Sequence, residues 1–373
     1  MKLFHVLFVI LIMLVTFLWA QHYIDKSRQS AINEASNQLE LTRDVRIAQL
    51  SSNVKTIYSE IRFWTENKKL SKDMEKIFSS WYELSFAPKV RARQLYITNN
   101  PLHPNYSEDY YKATDGSAYS ESHQQIHTLL KGLNKRRGYY DVLLIAQNGD
   151  IVYSVFKEDD YATNLLFGKY KETNLAKGFR EVLESTNLNH VSLVDFESYA
   201  PSNNAPSSFL QTSIINSKNK TIGVLAFQLP PEPINKILAH TSGLNIGTEI
   251  FAVGSDHLLR NKLNEINPKT VLKSTAIDMA LDGKSGAGVL NDYNGNSTIS
   301  AYAPFNFSHN ILGSTDKNTW AIIVKQDLKE VLKPVNAQLK KIFIKLGILA
   351  LISLLFAWLF TRGKDDVSTT EEL

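Results

Sequence analysis

Hydrophobic side chains along this chain fall into three patterns: apolar runs near both ends, one long seam at helical spacing, and short alternating stretches between them. Leu3 to Ala20 is interrupted only by His5 and Thr16, and Ile342 to Phe360 only by Lys345 and Ser353. At a helical rise of 1.5 Å per residue each run covers about 27–29 Å, the depth of a bilayer core. The first run is longer than a usual signal-peptide core, Leu18-Trp19-Ala20 is a poor cleavage site, and Trp19 and Tyr23 suit a membrane interface. Transmembrane helices are therefore expected at 1–23 and 342–360. Flanking charge does not orient them: Lys2 precedes the first run and Lys26 and Arg28 follow it, while Lys340 and Lys341 precede the second and Arg362 and Lys364 follow it.

Residues 24–87 predict a long stalk helix region, with no Pro or Gly from 24 to about 70. Within it Ile47, Leu50, Val54, Ile57, Ile61 and Trp64 recur at spacings of three and four. That seam suits packing on the chain's own domain or on a second copy, so a homodimer is one expectation. The stretch 88–116 predicts loops, on the turn signals Asn99-Asn100-Pro101 and His103-Pro104-Asn105. A helix follows at Tyr119 to Leu133, then a hairpin of Tyr139 to Ala146 and Ile151 to Phe156 around Asn148-Gly149. A helix at 173–185 and strands near 190–195, 208–215 and 221–229 complete a first module, closed by Pro230, Pro231 and Pro233. The plan then repeats: Glu249 to Val253 pairing with His257 to Arg260, a helix at 269–281, and strands near 287–291, 296–303 and 319–325. The fold class predicted is α+β, two PAS-like modules on a long N-terminal helix, flanked by two transmembrane helices. The divisions are 88–235 for the first module, 236–330 for the second, 331–341 for a helical connector and 361–373 for a short tail.

Composition narrows the functions. The 373 residues carry 41 basic and 37 acidic side chains, a net +4, which gives no concentrated basic footprint for nucleic acid. The chain has no cysteine, which excludes disulfides, thiolate metal sites and cysteine nucleophiles. No zinc-protease helix or Gly-x-Ser-x-Gly elbow is present. Asp282-Gly-Lys-Ser285 lacks the earlier glycine of a phosphate loop, that place being Asp278, and reads as a turn between helix and strand. His123 and His127 stand one helical turn apart, but with no assured third ligand they predict packing or hydrogen bonding rather than a metal site.

Longer stretches carry a family likeness. Asp115-Gly-Ser-Ala-Tyr119 with His123 and His127 following, Gly138-Tyr-Tyr-Asp141, Gly149-Asp-Ile-Val-Tyr153, Phe156-Lys-Glu158, Thr163-Asn-Leu165, Asp195-Phe196, Tyr199, Pro201-Ser202 and Pro206 occur in consistent order, followed by Asp292-Tyr-Asn-Gly295, Ala301-Tyr-Ala-Pro304 and Trp320-Ala-Ile-Ile323. This series resembles the double Cache sensory region of bacterial methyl-accepting chemotaxis proteins and membrane-bound cyclases. The resemblance implies a two-pass bacterial inner-membrane protein with residues 24–341 in the periplasm or extracellular space. It also implies a membrane-distal first module that binds a small molecule and a membrane-proximal second one. Those receptors continue into a cytoplasmic output domain, whereas only 13 residues follow the second apolar run here, fewer than the roughly 40 an independent fold needs.

The function expected is thus non-enzymatic: sensing a ligand without a cofactor and passing the signal to a separate membrane or cytoplasmic signalling protein. A ligand-independent membrane scaffold that keeps the fold is the alternative. In a PAS-like module the ligand sits between the sheet and what covers it, a concave, largely apolar site with a few polar groups. The candidate residues are Tyr153, Lys157, Asp160, Asn164, Asp195 and Tyr199, with Lys157 suited to a ligand carboxylate and Asp160 or Asp195 to an amine or hydroxyl. The rings of Tyr153, Tyr161, Tyr199 and Phe209 would supply walls. The family's amino-acid-binding Arg-x-Trp-Tyr cluster is not visible in the sequence, so amino acids are not favoured. The competing reading of 157–160 is a solvated turn, and of Asp195 a loop cap.

Overall fold

The seam on the first helix fixes the architecture, because two sheets are built onto it. The computed structural model describes residues 2–239, 244–245, 247–263, 266, 270–307 and 318–362, and of 2–10, 357 and 359–362 only the backbone. Helix α1 (Lys2–Glu66) is one continuous element. Leu50, Ile61 and Trp64 are buried, and Ile47, Val54 and Ile57 pack on the same core. The seam is therefore occupied within the chain, and a homodimer would need another face of the stalk.

The helix expected to reach about residue 70 is instead two. Asn67 interrupts it and caps α2 (Lys68–Glu83), its side chain accepting from the amides of Lys69 and Leu70. The segment read as loop also differs. Pro88 opens a short helix, α3 (Pro88–Arg93), where its missing N–H costs nothing, and a π-turn continues it over Gln94–Thr98. Helix α4 (Ala118–Arg137) starts on a Ser117 cap and stops at Gly138, which takes the left-handed conformation at φ 70° and donates to the Asn134 carbonyl.

The first sheet is antiparallel, in the order β2-β1-β5-β4-β3. Its strands are β1 (Asp141–Ala146), β2 (Ile151–Ser154), β3 (Val191–Tyr199), β4 (Ala205–Ile215) and β5 (Thr221–Leu229). The predicted hairpin and the three later strands are all present. Alternation along β1 sends Val142 and Leu144 into the core shared with α1, α2 and α4, and Leu143 and Ile145 to the other face. That second face is covered by the segment after β2 and by α5 (Asn174–Glu184), whose Leu175 and Phe179 lie against Phe209, Val224 and Ala226. Both faces are dry, which is why β1 reads as an unbroken apolar run.

A short α6 (Glu232–Ala239) leads to the second antiparallel sheet, ordered β6-β9-β8-β7. It comprises β6 (Glu249–Gly254), β7 (Gly286–Asn291), β8 (Ser297–Asn306) and β9 (Thr319–Asp327). Helix α7 (Thr275–Leu281) covers one face, and the other adds Ala252, Ile299, Ile322 and Val324 to the α1 core. The strand expected at 257–260 reduces to one bridge between Val253 and Leu259, and the expected helix begins only at its Ser274 cap, residues 267–269 lying outside the described ones. Buried Arg43 of α1 ties the stalk to this sheet, donating to the carbonyls of Gly286 and Tyr302 at 3.1 Å each.

From β9 the chain enters α8 (Leu328–Arg362), where Pro334 removes one backbone hydrogen bond. It runs beside α1, with Arg28 Nη2 donating to Asn336 Oδ1 at 3.2 Å. Both helices leave large apolar side chains exposed, Leu11 to Trp19 on α1 and Phe343 to Trp358 on α8. Among the described residues no helix is long and apolar enough to cross a membrane; both expected spans extend onto side chains outside the description, as does the tail beyond 362.

The seating of α2 on the first sheet can be tested at Gly223 of β5. A Cβ there would lie 2.3 Å from the Phe78 ring and 2.7 Å from the Ile145 carbonyl oxygen. Gly223→Ala should lower stability by about 1–3 kcal/mol in urea unfolding. An unchanged midpoint would mean that the helix does not press on the strand.

Candidate ligand-binding site

The hairpin places an acid where the strand's own parity calls for an apolar side chain. Asp141 opens β1 and is 1% exposed. Its carboxylate accepts from Ser154 Oγ at 2.6 Å and from the amides of Val142 and Val155, so it shapes the chain as it leaves β2. That turn carries Lys157 at φ 54°, with its amide on Ser154 Oγ at 2.7 Å. Glu158 follows, accepting from Tyr140 and Ser202 at 2.9 and 2.5 Å. Asp160, 2% exposed, takes the Tyr199 hydroxyl on Oδ2 at 2.6 Å, while its buried Oδ1 has no hydrogen-bond partner. Gln228 Nε2 links Ser202 and Ser207 at 2.9 Å each, and Gln211 on the same sheet face has both side-chain polar atoms buried without partners.

The structure thus brings Asp160 and Tyr199 into contact beneath the segment that covers the sheet. Asn164 does another job: its amide donates to the Asn148 carbonyl and to Asp150, and its oxygen accepts from Leu166 and Phe167, which ties the covering segment to the hairpin turn. Tyr153 and the Lys157 ammonium point to the opposite face. Lys157 is 0% exposed, so this stretch is not a solvated turn; its Nζ donates to the carbonyls of Val155 and Ser107 at 3.1 and 3.4 Å. Tyr153 lies with the imidazoles. His127 must donate from Nε2 to the Glu108 carbonyl at 2.9 Å, which leaves Nδ1 to accept from the Tyr153 hydroxyl at 2.8 Å. His123 donates from Nδ1 to the Tyr111 carbonyl at 2.7 Å, leaving a buried, unpaired Nε2. Among the described residues no three His, Asp or Glu side chains are grouped to hold a metal.

Asp195 does not join this cluster. It neither caps a loop nor faces the covering segment; its carboxylate accepts from Arg260 Nε and Nη2 at 2.8–3.0 Å and from Trp320 Nε1 at 3.1 Å, both belonging to the second sheet's side of the molecule. The residues missed by sequence reasoning are Asp141, Glu158, Gln211 and Gln228. Their signal was a polar side chain at the buried parity of an apolar strand, or just after one.

Solved structures of similar fold include the ligand-binding domain of the Campylobacter jejuni chemoreceptor Tlp3 with L-valine, at 13% identity and a TM-score of 0.47, covering 82% of this chain and 97% of that one. The same domain with 4-methylisoleucine matches at 14%, 0.48, 83% and 95%. The ligand-binding domain of the Pseudomonas fluorescens chemoreceptor CtaA with L-serine matches at 13%, 0.41, 81% and 98%. The structures this chain is similar to are sensory domains of chemoreceptors. No protein-family model matches the chain, and no curated protein matches its sequence.

Burial sets the electrostatics. Desolvation pushes Asp141 up to about 8 and Asp160 up to about 6, partly offset by the Ser154 and Tyr199 hydroxyls, with neighbouring acids adding to the rise. Glu158 is raised for the same reason. Desolvation lowers Lys157 to about 7, which Asp141 opposes, and lowers His127 to about 3, which the Lys157 charge reinforces. A carboxyl raised in the fold stabilises it below the unfolded value of 3.8, and that stability is lost as pH rises through the folded value. The other buried groups are present in both wild type and variant, so the difference between them reports Asp160 together with its coupling to Asp141 and Glu158. Asp160→Asn should gain on the order of 2 kcal/mol relative to wild type between pH 4.5 and 7 in urea unfolding. A pH-independent difference would mean that Asp160 ionises freely in the fold.

Proposed function

We propose that this protein is a membrane-anchored extracytoplasmic sensor that binds a small, amine-bearing molecule in its first sheet module and passes the signal to a separate protein. The observation that carries this reading is the unpaired, buried Oδ1 of Asp160, on the inner side of the covering segment and near Glu158 and Asp141. An isolated buried acceptor costs about 1–3 kcal/mol, and a cationic donor that reached it would recover that cost through a charge-assisted hydrogen bond. Tyr199 holds the other oxygen and would orient the carboxylate. Access requires the covering segment to move, since Asp141 and Asp160 are closed off from solvent.

Anchoring is supported by the exposed apolar side chains from Leu11 to Trp19 on α1 and from Phe343 to Trp358 on α8, unsuited to water and suited to lipid. The module facing outward as the distal one, 88–235, would then be coupled through the stalk, the proximal module 236–330 and the connector 331–341 to the second span. A separate signalling protein would read the displacement, and ligand can bias that equilibrium only by its differential affinity for the two states.

The test is a melting-shift screen of the full chain in detergent against small amines, with the branched amino acids bound by the Tlp3 structures as one arm. We expect a saturable stabilisation by an amine that strengthens as pH rises through about 6, where Asp160 ionises. Asp160→Asn should abolish it, and Tyr199→Phe should weaken affinity on the order of tenfold, one charge-assisted hydrogen bond. A shift equally strong in Asp160→Asn would overturn the site. The absence of any shift would favour the scaffold alternative.

A further inference from the structure

At the place where the stalk meets both sheets the molecule forms a partly open pocket with a cavity volume of ≈160 Å³, separate from the acidic cluster. Its walls come from three parts of the chain: Val54 and Ile57 of α1, Leu210 of the first sheet, and Phe305, Phe307 and Trp320 of the second. The aromatic walls already meet edge to face, Phe307 with Trp320 at 4.6 Å and Phe305 with Phe307 at 4.9 Å between ring centres. Three of the polar groups at its inner border are engaged elsewhere. Asp195 holds Arg260 and the Trp320 indole, Ser208 Oγ donates to the Val194 carbonyl at 2.7 Å, and Asn318 donates to the Leu193 carbonyl at 3.1 Å.

A water needs two to four polar partners, so a pocket whose inner walls are mostly aliphatic side chains and aromatic rings favours an apolar guest over water. Apolar cavities of about 150 Å³ take up a single benzene-sized ring. Aromatic walls add edge-to-face contacts that favour such a ring over an aliphatic chain of equal volume.

We propose that this junction is a second binding site, for an uncharged molecule of one aromatic ring, which wedges between stalk and sheets and stabilises their docked arrangement. This goes beyond the amine site, shares no residue with it, and adds an input at the point where the two modules meet.

The test uses fluorobenzene and fluorine NMR on the full chain in detergent. Beyond the resonances of free and micelle-dissolved probe, a third, saturable resonance is expected in wild type. It should vanish in Val54→Trp, or in Ile234→Trp should the first variant fail to fold, because either indole fills the space; Ile234 lines the same cavity. It should remain in Asp160→Asn, which alters only the acidic cluster. No third resonance in wild type, one that survives in a folded filled variant, or one lost in Asp160→Asn would each overturn the proposal.

Discussion

One stripe of side chains, from Ile47 to Trp64 on α1, belongs to the same hydrophobic core as the inner faces of both sheets. That sharing is the constraint on which the other features depend. A helix is stiff along its axis, so a sheet that shifts on this stripe must either move the helix or lose apolar contact, and buried apolar area is worth about 25 cal/mol per Å². Arg43 fastens the same helix to the second sheet through two strand carbonyls, and Asp195 fastens the first sheet to β9 through Trp320 and to the segment after β6 through Arg260. The two sheets are thereby held to one rod, and β9 feeds without interruption into α8, where Pro334 is the weak point of the outgoing helix.

Opposite the rod the balance is different. Between the sheet and the covering segment Asp141 and Asp160 lie out of water and Glu158 is half-buried, with hydroxyls and amides as partners. The one lysine of that turn carries its charge to the opposite face. Burial of several acids in this way raises them toward their neutral forms and costs stability at neutral pH. Such an arrangement is poor as a core and well suited to receiving a positive group. The apolar face holds the molecule together and the acidic face is where it is left incomplete.

Much of the scaffold was legible because it obeys local periods. The hairpin around Asn148-Gly149, the strands ending at Ile215 and Leu229, and the seam on α1 follow from alternation, turn chemistry and three-four spacing. Residues 88–98 were misread because a six-residue helix that opens on a proline is too short to show a helical period. The site was partly legible: Asp160 and Tyr199 meet across 39 residues of sequence, but Asp195 was drawn away by Arg260, 65 residues later. A non-local ion pair leaves no trace in the local pattern of either partner. The placement of Lys157 likewise depends on its left-handed backbone, which turns its side chain to the opposite face from the one its neighbours suggest.

The rod is tested most directly by native-state hydrogen exchange on the full chain. If one helix holds both sheets, the slowest amides of β1 and of β9 should open together, with the same free energy and the same dependence on denaturant. If β9 exchanged orders of magnitude faster while β1 stayed protected, the sheets would be independent and the coupling described here would be contradicted.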